Sequence, residues 1–255
     1  MKTALITGGS SGIGYAFAVK LLRVGYHVVL LSRDEEKLQS AAKNLKRQGF
    51  ENIYCVKADV RDLESLQAAL SPVLFESLDL VIHSAGILRV GDKATVQSFH
   101  DCMETNMKGT QNVLEVVTPL LQKSKGRIAV LCSIAGLIDF PGYAAYGASK
   151  RAQRLLCEKA RPELEWKGIG LTMIYPSTIR TPMVTDIEEQ LPPIARLIPW
   201  LEADKVVETF YRDIQKGRKE SYASFADRVT YKLAMVAPKP FLFLLKVGMM
   251  LKGLR

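Results

Sequence analysis

The sequence has few cysteines, no long uninterrupted apolar run and, towards its end, no acidic residue. Its four cysteines lie far apart and form no CxxC pair: Cys55, Cys102, Cys132 and Cys157. This spacing disfavours a zinc site and a disulfide framework, so we expect no bound metal and a reduced, cytoplasmic compartment. No apolar run approaches the roughly 18 residues that predict a transmembrane helix. The first residues lack the three regions of an export signal, so we expect no export by that route.

The composition is that of a globular protein with an excess of positive charge. The 255 residues are 48% hydrophobic and 24% charged, with 35 Lys and Arg against 26 Asp and Glu, a net charge of +9. From Arg228 onward there are six cations and no carboxylate, so +6 of that charge lies in the tail. An anionic partner is expected there. Because no aromatic and basic interleaving is present, a membrane surface is favoured over nucleic acid.

Short apolar segments alternate with helical patterns from the first residues. We predict strands at 4–7, 28–31, 53–57, 78–82, 128–132 and 171–175, and helices at 14–24, 35–48, 63–74, 99–122 and 146–166. This alternation predicts an α/β Rossmann fold with a doubly wound parallel sheet. A helix at 202–216 and a strand at 220–224 follow. We therefore expect one domain at 1–228 and a C-terminal apolar, basic extension at 229–255.

The turn after the first predicted strand reads TGGSSGIG, from Thr7 to Gly14. Glycines allow a tight turn in which backbone N–H groups approach a pyrophosphate at a helix N-terminus. The candidate cofactor-binding residues of this turn are Gly8, Ser10, Ser11, Gly12, Ile13 and Gly14. The alternative is a plain strand-to-helix turn.

Ser32 and Arg33 follow the second predicted strand. A carboxylate at this point favours NAD, whereas a cation favours the 2′-phosphate of NADP. A hydroxyl followed by arginine therefore predicts NADP(H) as the cofactor. In the alternative interpretation Ser32 caps the next helix and Arg33 is a solvated surface charge.

Three further residues form a candidate catalytic group. Ser133 follows the fifth predicted strand, Tyr146 comes thirteen residues later, and Lys150 lies one helical turn beyond Tyr146. Because positions i and i+4 share a helix face, the phenol and the ammonium can point into one cleft. Taken singly, the Tyr and Lys pair could be ordinary helix surface and Ser133 a turn residue.

Together these motifs resemble the short-chain dehydrogenase/reductase family over residues 2 to 220. The resemblance rests on TGGSSGIG, Ala58-Asp59-Val60, Ser84-Ala85-Gly86, Asn106, and Ser133 followed by YGASK from Tyr146 to Lys150. It implies that Tyr146 is the general acid or base, that Lys150 holds the nicotinamide ribose and favours the phenolate, and that Ser133 binds the substrate carbonyl. Asn106 is then expected to hold a proton-relaying water, unless it is a helix cap or kink.

The resemblance also implies cofactor contacts from Asp59 and Val60 at the adenine, and from Ile179 and Thr181 at the nicotinamide end. Ala85 and Gly86 belong to the same expected cofactor site. Asp59 could instead cap the helix that begins near Leu63. The sequence departs from the family pattern in two places. His83-Ser84 stands where the family usually has Asn-Asn, and Ser177 stands where it usually has glycine. We expect His83 to be structural.

The tail bears on substrate and location. We predict that Pro238 and Pro240 interrupt it and that its apolar part is an interfacial helix in peripheral contact with a membrane. The alternative is packing against the domain or a second subunit. With the apolar segment 192–201 near the expected lid, this favours a small lipophilic carbonyl substrate. Reductases of 3-ketosphinganine resemble the chain most, but a steroid, a retinoid or a 3-oxoacyl compound would leave a similar pattern.

Two other functional classes are weighed against the oxidoreductase. A catalytically idle nucleotide-binding regulator or scaffold on the same fold is disfavoured by the complete Ser, Tyr, Lys and Asn set. A nucleic-acid-binding protein is suggested by net charge alone. The family resemblance further implies a homodimer or homotetramer that pairs through the helices predicted at 99–122 and 146–166.

Overall fold

A computed structural model describes residues 2–71, 76–91, 95–191 and 199–251. Seven parallel strands form one sheet in the order β3-β2-β1-β4-β5-β6-β9. The strands are β1 (Thr3–Thr7), β2 (His27–Ser32), β3 (Ile53–Lys57), β4 (Leu80–His83), β5 (Arg127–Leu131), β6 (Gly170–Tyr175) and β9 (Glu220–Tyr222), while β7 (Ile179–Arg180) and β8 (Leu201–Glu202) pair separately. The predicted doubly wound Rossmann fold, as a single domain, is confirmed.

Helices cover both faces of the sheet. They are α1 (Gly12–Arg23), α2 (Glu35–Arg47), α3 (Leu63–Ala69), α4 (Val96–Cys102), α5 (Gly109–Ser124), α6 (Ala144–Trp166), α7 (Pro182–Thr185), α8 (Ala203–Gln215), α9 (Phe225–Val236) and α10 (Pro238–Leu251). A π-helical turn, Met103–Lys108, joins α4 to α5, and short 3₁₀ turns lie at Ile134–Gly136 and Glu188–Gln190. The α1, α2 and α8 helices pack on one face, and α3, α5, α6 and α9 on the other.

The alternation of side chains along each strand explains why both faces are buried. In β1, Ala4 and Ile6 point into the core under α1 and α8, while Leu5 points into the core under α5. All three are fully buried. A strand that is apolar at every position must be covered on both sides, which a parallel sheet with crossover helices achieves.

Most elements begin or end within one or two residues of the predicted positions, and three differences bear on the site. The helix expected at 99–122 begins earlier, at Val96, and is interrupted by the π-helical turn. The strand expected at 78–82 spans Leu80–His83. The helix expected at 63–74 ends at Ala69, and residues 72–74 lie outside the described part of the chain. Residues 192–198 of the expected apolar lid also lie outside it.

The tail forms two helices. The predicted interruption lies at Pro238, since α9 ends at Val236 and α10 begins at Pro238. Pro240 does not break the tail, because it lies in the first turn of α10, where the missing N–H has no helical partner in any case. Helix α9 runs across the expected boundary at residue 228, and its Tyr231 and Ala234 are buried in the core of the domain. No helix in the described part of the chain has the length and hydropathy that crossing a bilayer requires.

Candidate active site

A cleft lies at the carboxyl ends of β1, β2, β4, β5 and β6, where ligands bind in open parallel sheets. Among its lining residues are nearly all of the predicted site residues: Gly8, Ser10, Ser11, Gly12, Ile13, Ser32, Arg33, Asp59, Val60, Ala85, Gly86, Ser133, Tyr146, Lys150, Ile179 and Thr181. Gly14 and Asn106, which the sequence also predicts, are buried behind the cleft. Parallel topology therefore gathers motifs that are up to 173 positions apart in the sequence.

The glycine turn is close-packed against neighbouring backbone. Gly8 has φ +67° and an added Cβ would lie 2.8 Å from the backbone nitrogen of Ala85. A Cβ on Gly14 would overlap the carbonyl oxygen of Gly8, so Gly14 supports the turn from beneath. Gly12 approaches the side chain of Thr181. Side chains at these positions would clash with these protein neighbours and displace the backbone at the N-terminus of α1, where a phosphate can bind.

The second strand ends in a group of polar side chains. Ser32 Oγ accepts a hydrogen bond from Ser10 Oγ at 3.4 Å and does not cap α2. The cap is Asp34, whose Oδ1 accepts from the backbone N–H of Lys37 at 3.0 Å. Arg33 and Lys37 are exposed and line the cleft. The alternative in which Ser32 caps the helix is therefore wrong.

Asp59 lies at the adenine end of the expected cofactor position and is held by an arginine that the sequence analysis did not single out. Arg61 contacts both carboxylate oxygens, with Nη2 at 2.6 Å from Oδ2. This ion pair, with the charge of Arg33, lowers the pKa of Asp59 although burial opposes it. Asp59 does not cap α3, because Asp62 Oδ1 accepts from the backbone N–H of Ser65.

Tyr146, Ser133 and Lys150 meet where β5 and α6 approach each other. Ser133 caps the short turn after β5 through Ala135 N, and Lys150 is one helical turn along α6 from Tyr146. The Lys150 Nζ atom is 5.8 Å from the centre of the Tyr146 ring. A Cβ on Gly136 would come within 2.9 Å of the Lys150 backbone, so this glycine lets α6 approach the strand.

Burial moves the pKa of both titratable groups away from its usual value. Burial raises the pKa of Tyr146 above its usual 10.0, and a hydrogen bond with Ser133 opposes the rise. Burial lowers the pKa of Lys150 from 10.5 to about 8, against the effect of three nearby thiols. A protonated phenol beside an ammonium of lowered pKa is an arrangement suited to donating a proton.

Asn106 lies in the π-helical turn, where its side chain is completely buried and is not among the residues that line the cleft. Its Oδ1 accepts from the backbone N–H of Ile87 at 2.8 Å, and its Nδ2 donates to Ile87 O at 3.0 Å and Ser149 Oγ at 2.9 Å. The amide therefore ties the loop after β4 to α6. The water relay expected at this residue stays a prediction.

Comparison with known proteins identifies the family. The family model described as "short chain dehydrogenase" matches residues 2–192. The chain belongs to the short-chain dehydrogenase family. It is 32% identical over 196 residues to the 3-oxoacyl-(acyl-carrier-protein) reductase FabG of Staphylococcus aureus strain Mu50, an alignment that covers 74% of this chain and 79% of that protein.

Two solved structures share the fold. A short-chain dehydrogenase from Sphingobium yanoikuyae in complex with NADPH has a TM-score of 0.78 at 24% identity and covers 95% of each chain. A short chain dehydrogenase/reductase from Burkholderia phymatum in complex with NAD has a TM-score of 0.81 at 24% identity, covering 91% of this chain and 92% of that one. This short-chain dehydrogenase is therefore an oxidoreductase by family, and the two solved structures show that its fold is shared.

The cleft of this short-chain dehydrogenase fits a nicotinamide dinucleotide. Close packing against protein neighbours fixes the glycine turn at the N-terminus of α1, and the buried Ser177 Oγ has no hydrogen-bond partner among the described residues although Ser177 lines the cleft. Ser177 is one of the two departures from the family pattern. An unpartnered hydroxyl beside Ile179 can serve the polar carboxamide of the nicotinamide.

Sequence reasoning missed Lys37, Arg61, Thr110 and Gln153 in this dehydrogenase. Lys37 stands one turn after Arg33 at the start of α2, and Gln153 lies three positions after Lys150 on the same face of α6. That spacing is a usable signal for Gln153. No sequence signal points to Thr110, because α5 contacts β4 and α6 only in the folded chain.

Proposed function

We propose that this chain is an NADP(H)-dependent reductase that converts a ketone to a secondary alcohol, or catalyses the reverse reaction. The observation that carries the proposal is that Tyr146, Ser133 and Lys150 line the same cleft as the glycine turn. The residues proposed to act on the substrate are Ser133, Tyr146 and Lys150, with Asn106 supporting them from behind. When bound, the nicotinamide supplies the hydride in reduction and accepts it in oxidation.

The chain's own residues would handle the proton. The Ser133 hydroxyl would hydrogen-bond the substrate carbonyl oxygen and stabilise the charge that develops there. Tyr146 would donate its phenolic proton to that oxygen in reduction, and its raised pKa keeps the phenol protonated before the reaction. In oxidation the phenolate oxygen of Tyr146 would accept the proton from the alcohol. The positive charge of Lys150 would help because it favours the phenolate.

The choice of NADP(H) is supported by the charges at the end of β2. A 2′-phosphate there would meet Arg33 and Lys37, and the hydroxyls of Ser10 and Ser32 lie in the same wall. The carboxylate of Asp34, between Arg33 and Lys37 in the sequence, accepts the backbone N–H of Lys37 and lies 3.7 Å from the Lys37 ammonium. Guanidinium and ammonium groups suit a phosphate better than a ribose diol.

We further propose a lipophilic carbonyl substrate, such as a 3-keto sphingoid base, a steroid or a 3-oxoacyl compound. This is supported by the similarity to a 3-oxoacyl reductase and by a stripe of exposed apolar side chains on α9. The stripe consists of Phe225, Val229, Leu233 and Val236, spaced so that they share one helix face. Arg228 and Lys232 flank it, as expected of a helix in peripheral contact with an anionic membrane.

We also propose how the chain is divided and how its copies associate. Residues 1–228 would form the oxidoreductase unit, and 229–255 would form its membrane-contacting extension. Two or four copies would associate through α5 and α6. The four free cysteines support a cytoplasmic location. No nucleic-acid partner is proposed.

The test measures the oxidation of NADPH by its absorbance. The candidate substrates are long-chain 3-ketones, steroids and 3-oxoacyl thioesters, each with and without lipid vesicles. Tyr146→Phe serves as the matched variant, and its kcat should fall by about 10²- to 10⁴-fold with NADPH affinity retained. An idle nucleotide-binding protein would bind NADPH and reduce none of these compounds. Equal turnover by Tyr146→Phe would exclude the mechanism.

A further inference from the structure

Behind Lys150, buried polar side chains form a continuous hydrogen-bonded chain that reaches the glycine turn. Lys150 Nζ donates to Gln153 Oε1 at 2.9 Å, and Gln153 Nε2 donates to Thr110 Oγ1 at 2.7 Å. His83 joins Thr110 through Nε2 at 2.8 Å and Thr7 through Nδ1 at 2.8 Å. Lys150 is 5% exposed, and the other four side chains are completely buried.

The direction of each hydrogen bond in this chain follows from one hydroxyl. Thr110 Oγ1 donates its single hydrogen to the carbonyl oxygen of Asn106 at 2.7 Å, so it accepts from both Gln153 and His83. The His83 imidazole therefore carries its hydrogen on Nε2 and accepts from the Thr7 hydroxyl at Nδ1. Thr7 in turn accepts from the backbone N–H of Ala85 at 3.2 Å.

This ordering fixes the orientation of the Gln153 amide. Because Thr110 accepts and does not donate to it, the amide must turn Nε2 towards Thr110 and Oε1 towards Lys150. The ammonium then has two fixed acceptors, Gln153 Oε1 and the carbonyl oxygen of Leu131 at 2.9 Å. Its third N–H is left for the cleft, which Lys150 lines beside Gly86.

We propose that Gln153 is a positioning residue for Lys150, and that the Thr110 and His83 side chains hold its amide in the orientation that presents an acceptor to the ammonium. The inference rests on the proposed function in one respect, since it assigns Gln153 to the reaction in which Lys150 takes part. Gln153 does not touch the cleft and would act through Lys150 alone.

The electrostatic surroundings of Lys150 explain why a neutral acceptor matters. The titratable groups around it are Tyr146 and Cys157 from its own helix, Cys132 at the end of β5, Cys102 from α4 and His83 from β4. None of these groups is a carboxylate, and burial brings the pKa of Lys150 down to about 8. The Gln153 carbonyl is thus a dipole that favours the charged form of a buried amine.

Two substitutions of Gln153 test the proposal because they act on Lys150 in opposite directions. Gln153→Leu keeps a side chain of similar size but removes the acceptor, so the pKa of Lys150 should fall. Gln153→Glu retains an acceptor and adds negative charge, so that pKa should rise. Thr110 can turn its hydroxyl hydrogen to the second carboxylate oxygen of the glutamate.

The first measurement is the titration of Lys150 in the cofactor-free protein. Lysine labelled with ¹³C at Cε reports each amine by NMR, and the Lys150 signal is assigned by its loss in Lys150→Met. Relative to wild type, the midpoint should shift down by about one pH unit in Gln153→Leu and up by a similar amount in Gln153→Glu. Midpoints that move together, or do not move, would overturn the proposal.

The second measurement is the pH profile of kcat/KM for ketone reduction. The alkaline limb should follow the Lys150 midpoint in each variant, and kcat at pH 7.5 should fall about tenfold in Gln153→Leu, the usual effect of losing a hydrogen bond to a charged group. If no ketone is reduced by any form, the proposed function fails while the NMR titration still decides the role of Gln153.

Thr110→Val and Thr172→Val form a matched pair that separates positioning from stability. Each removes a buried hydroxyl that donates to a backbone carbonyl, Asn106 O for Thr110 and Arg218 O for Thr172. Both should lower Tm, but only Thr110→Val should move the Lys150 midpoint. An equal midpoint in the two variants would show that the chain beyond Gln153 has no influence on Lys150, and would overturn that part of the proposal. If Gln153→Leu does not fold, Gln153→Glu and this pair suffice.

Discussion

The carboxylate of Asp34 accepts a hydrogen bond from the backbone N–H of Lys37 at 3.0 Å and so caps helix α2. One residue earlier, Arg33 projects into the cofactor cleft, and Lys37 lines the same wall. The carboxylate that follows Arg33 is thereby engaged in holding the helix, and its Oδ2 lies 3.7 Å from the Lys37 ammonium. The guanidinium of Arg33 is then the main positive charge at the place where NADP differs from NAD.

Arg33→Ala should therefore weaken the use of NADPH selectively. Loss of one exposed, charge-assisted contact predicts about a tenfold rise in KM for NADPH, with KM for NADH changed less than about twofold. Steady-state kinetics with both cofactors measures this. Arg47→Ala, at the other end of the same helix, is the control. Equal changes for the two cofactors would rule out a phosphate contact at Arg33.

Gly14→Ala should damage the cofactor site from beneath. The new methyl group would overlap the carbonyl oxygen of Gly8, so the turn must shift and the domain should lose about 1–3 kcal/mol of stability. NADPH binding, followed by fluorescence, should weaken by at least about tenfold because the backbone N–H groups move. Ala16→Gly, a change of the same size in the same helix, should leave binding intact. Unchanged binding in Gly14→Ala would contradict this account of the turn.

His83 should make the protein sensitive to acid. Burial, with the positive charge of Lys150, lowers the pKa of His83 to about 3 from an unfolded value of 6.5. Between these values the unfolded chain binds more protons, so stability falls as pH decreases from 6.5 towards 3, by up to about 1.4 kcal/mol per pH unit. Urea unfolding of wild type and His83→Asn at several pH values measures this.

Wild type and His83→Asn should differ in the free energy of unfolding and in how that free energy depends on pH. His83→Asn should be the less stable protein at pH 7, because it weakens the link between Thr7 and Thr110. Its stability should then decline less steeply on acidification, so the two curves converge. The exposed His100 provides the control substitution, His100→Asn. Parallel curves for wild type and His83→Asn would be inconsistent with a buried neutral imidazole.

The apolar stripe of α9 should mediate binding to anionic lipid. Leu233 and Val236 are 63% and 85% exposed, and Leu233→Glu with Val236→Glu should reduce co-sedimentation with vesicles containing phosphatidylserine by at least about tenfold. Val24→Glu changes an exposed apolar residue elsewhere, and its binding should match wild type. If the double variant binds vesicles as wild type does but no longer self-associates, the stripe belongs to a subunit interface instead.

Local sequence patterns are sufficient to predict the class of fold and most of the candidate site. Apolar segments that alternate with helical patterns predict a parallel sheet with crossover helices. The glycine turn, Ser133, Tyr146 and Lys150 are recognisable because their spacing is local or matches a known motif. The cations of the tail are likewise a matter of composition. These features are set by residues that are close in the sequence, so hydrophobic periodicity and residue propensity predict them directly.

The hydrogen bonds between polar side chains on different helices and strands become visible only in the tertiary structure. Gln153, Thr110, His83 and Thr7 come from α6, α5, β4 and β1, and their hydrogen bonds exist because parallel crossovers bring those elements together in the core. The same holds for Asn106, whose amide in the π-helical turn contacts Ile87 and Ser149. A buried polar atom must find a partner wherever the fold supplies one, and local sequence carries no record of that choice.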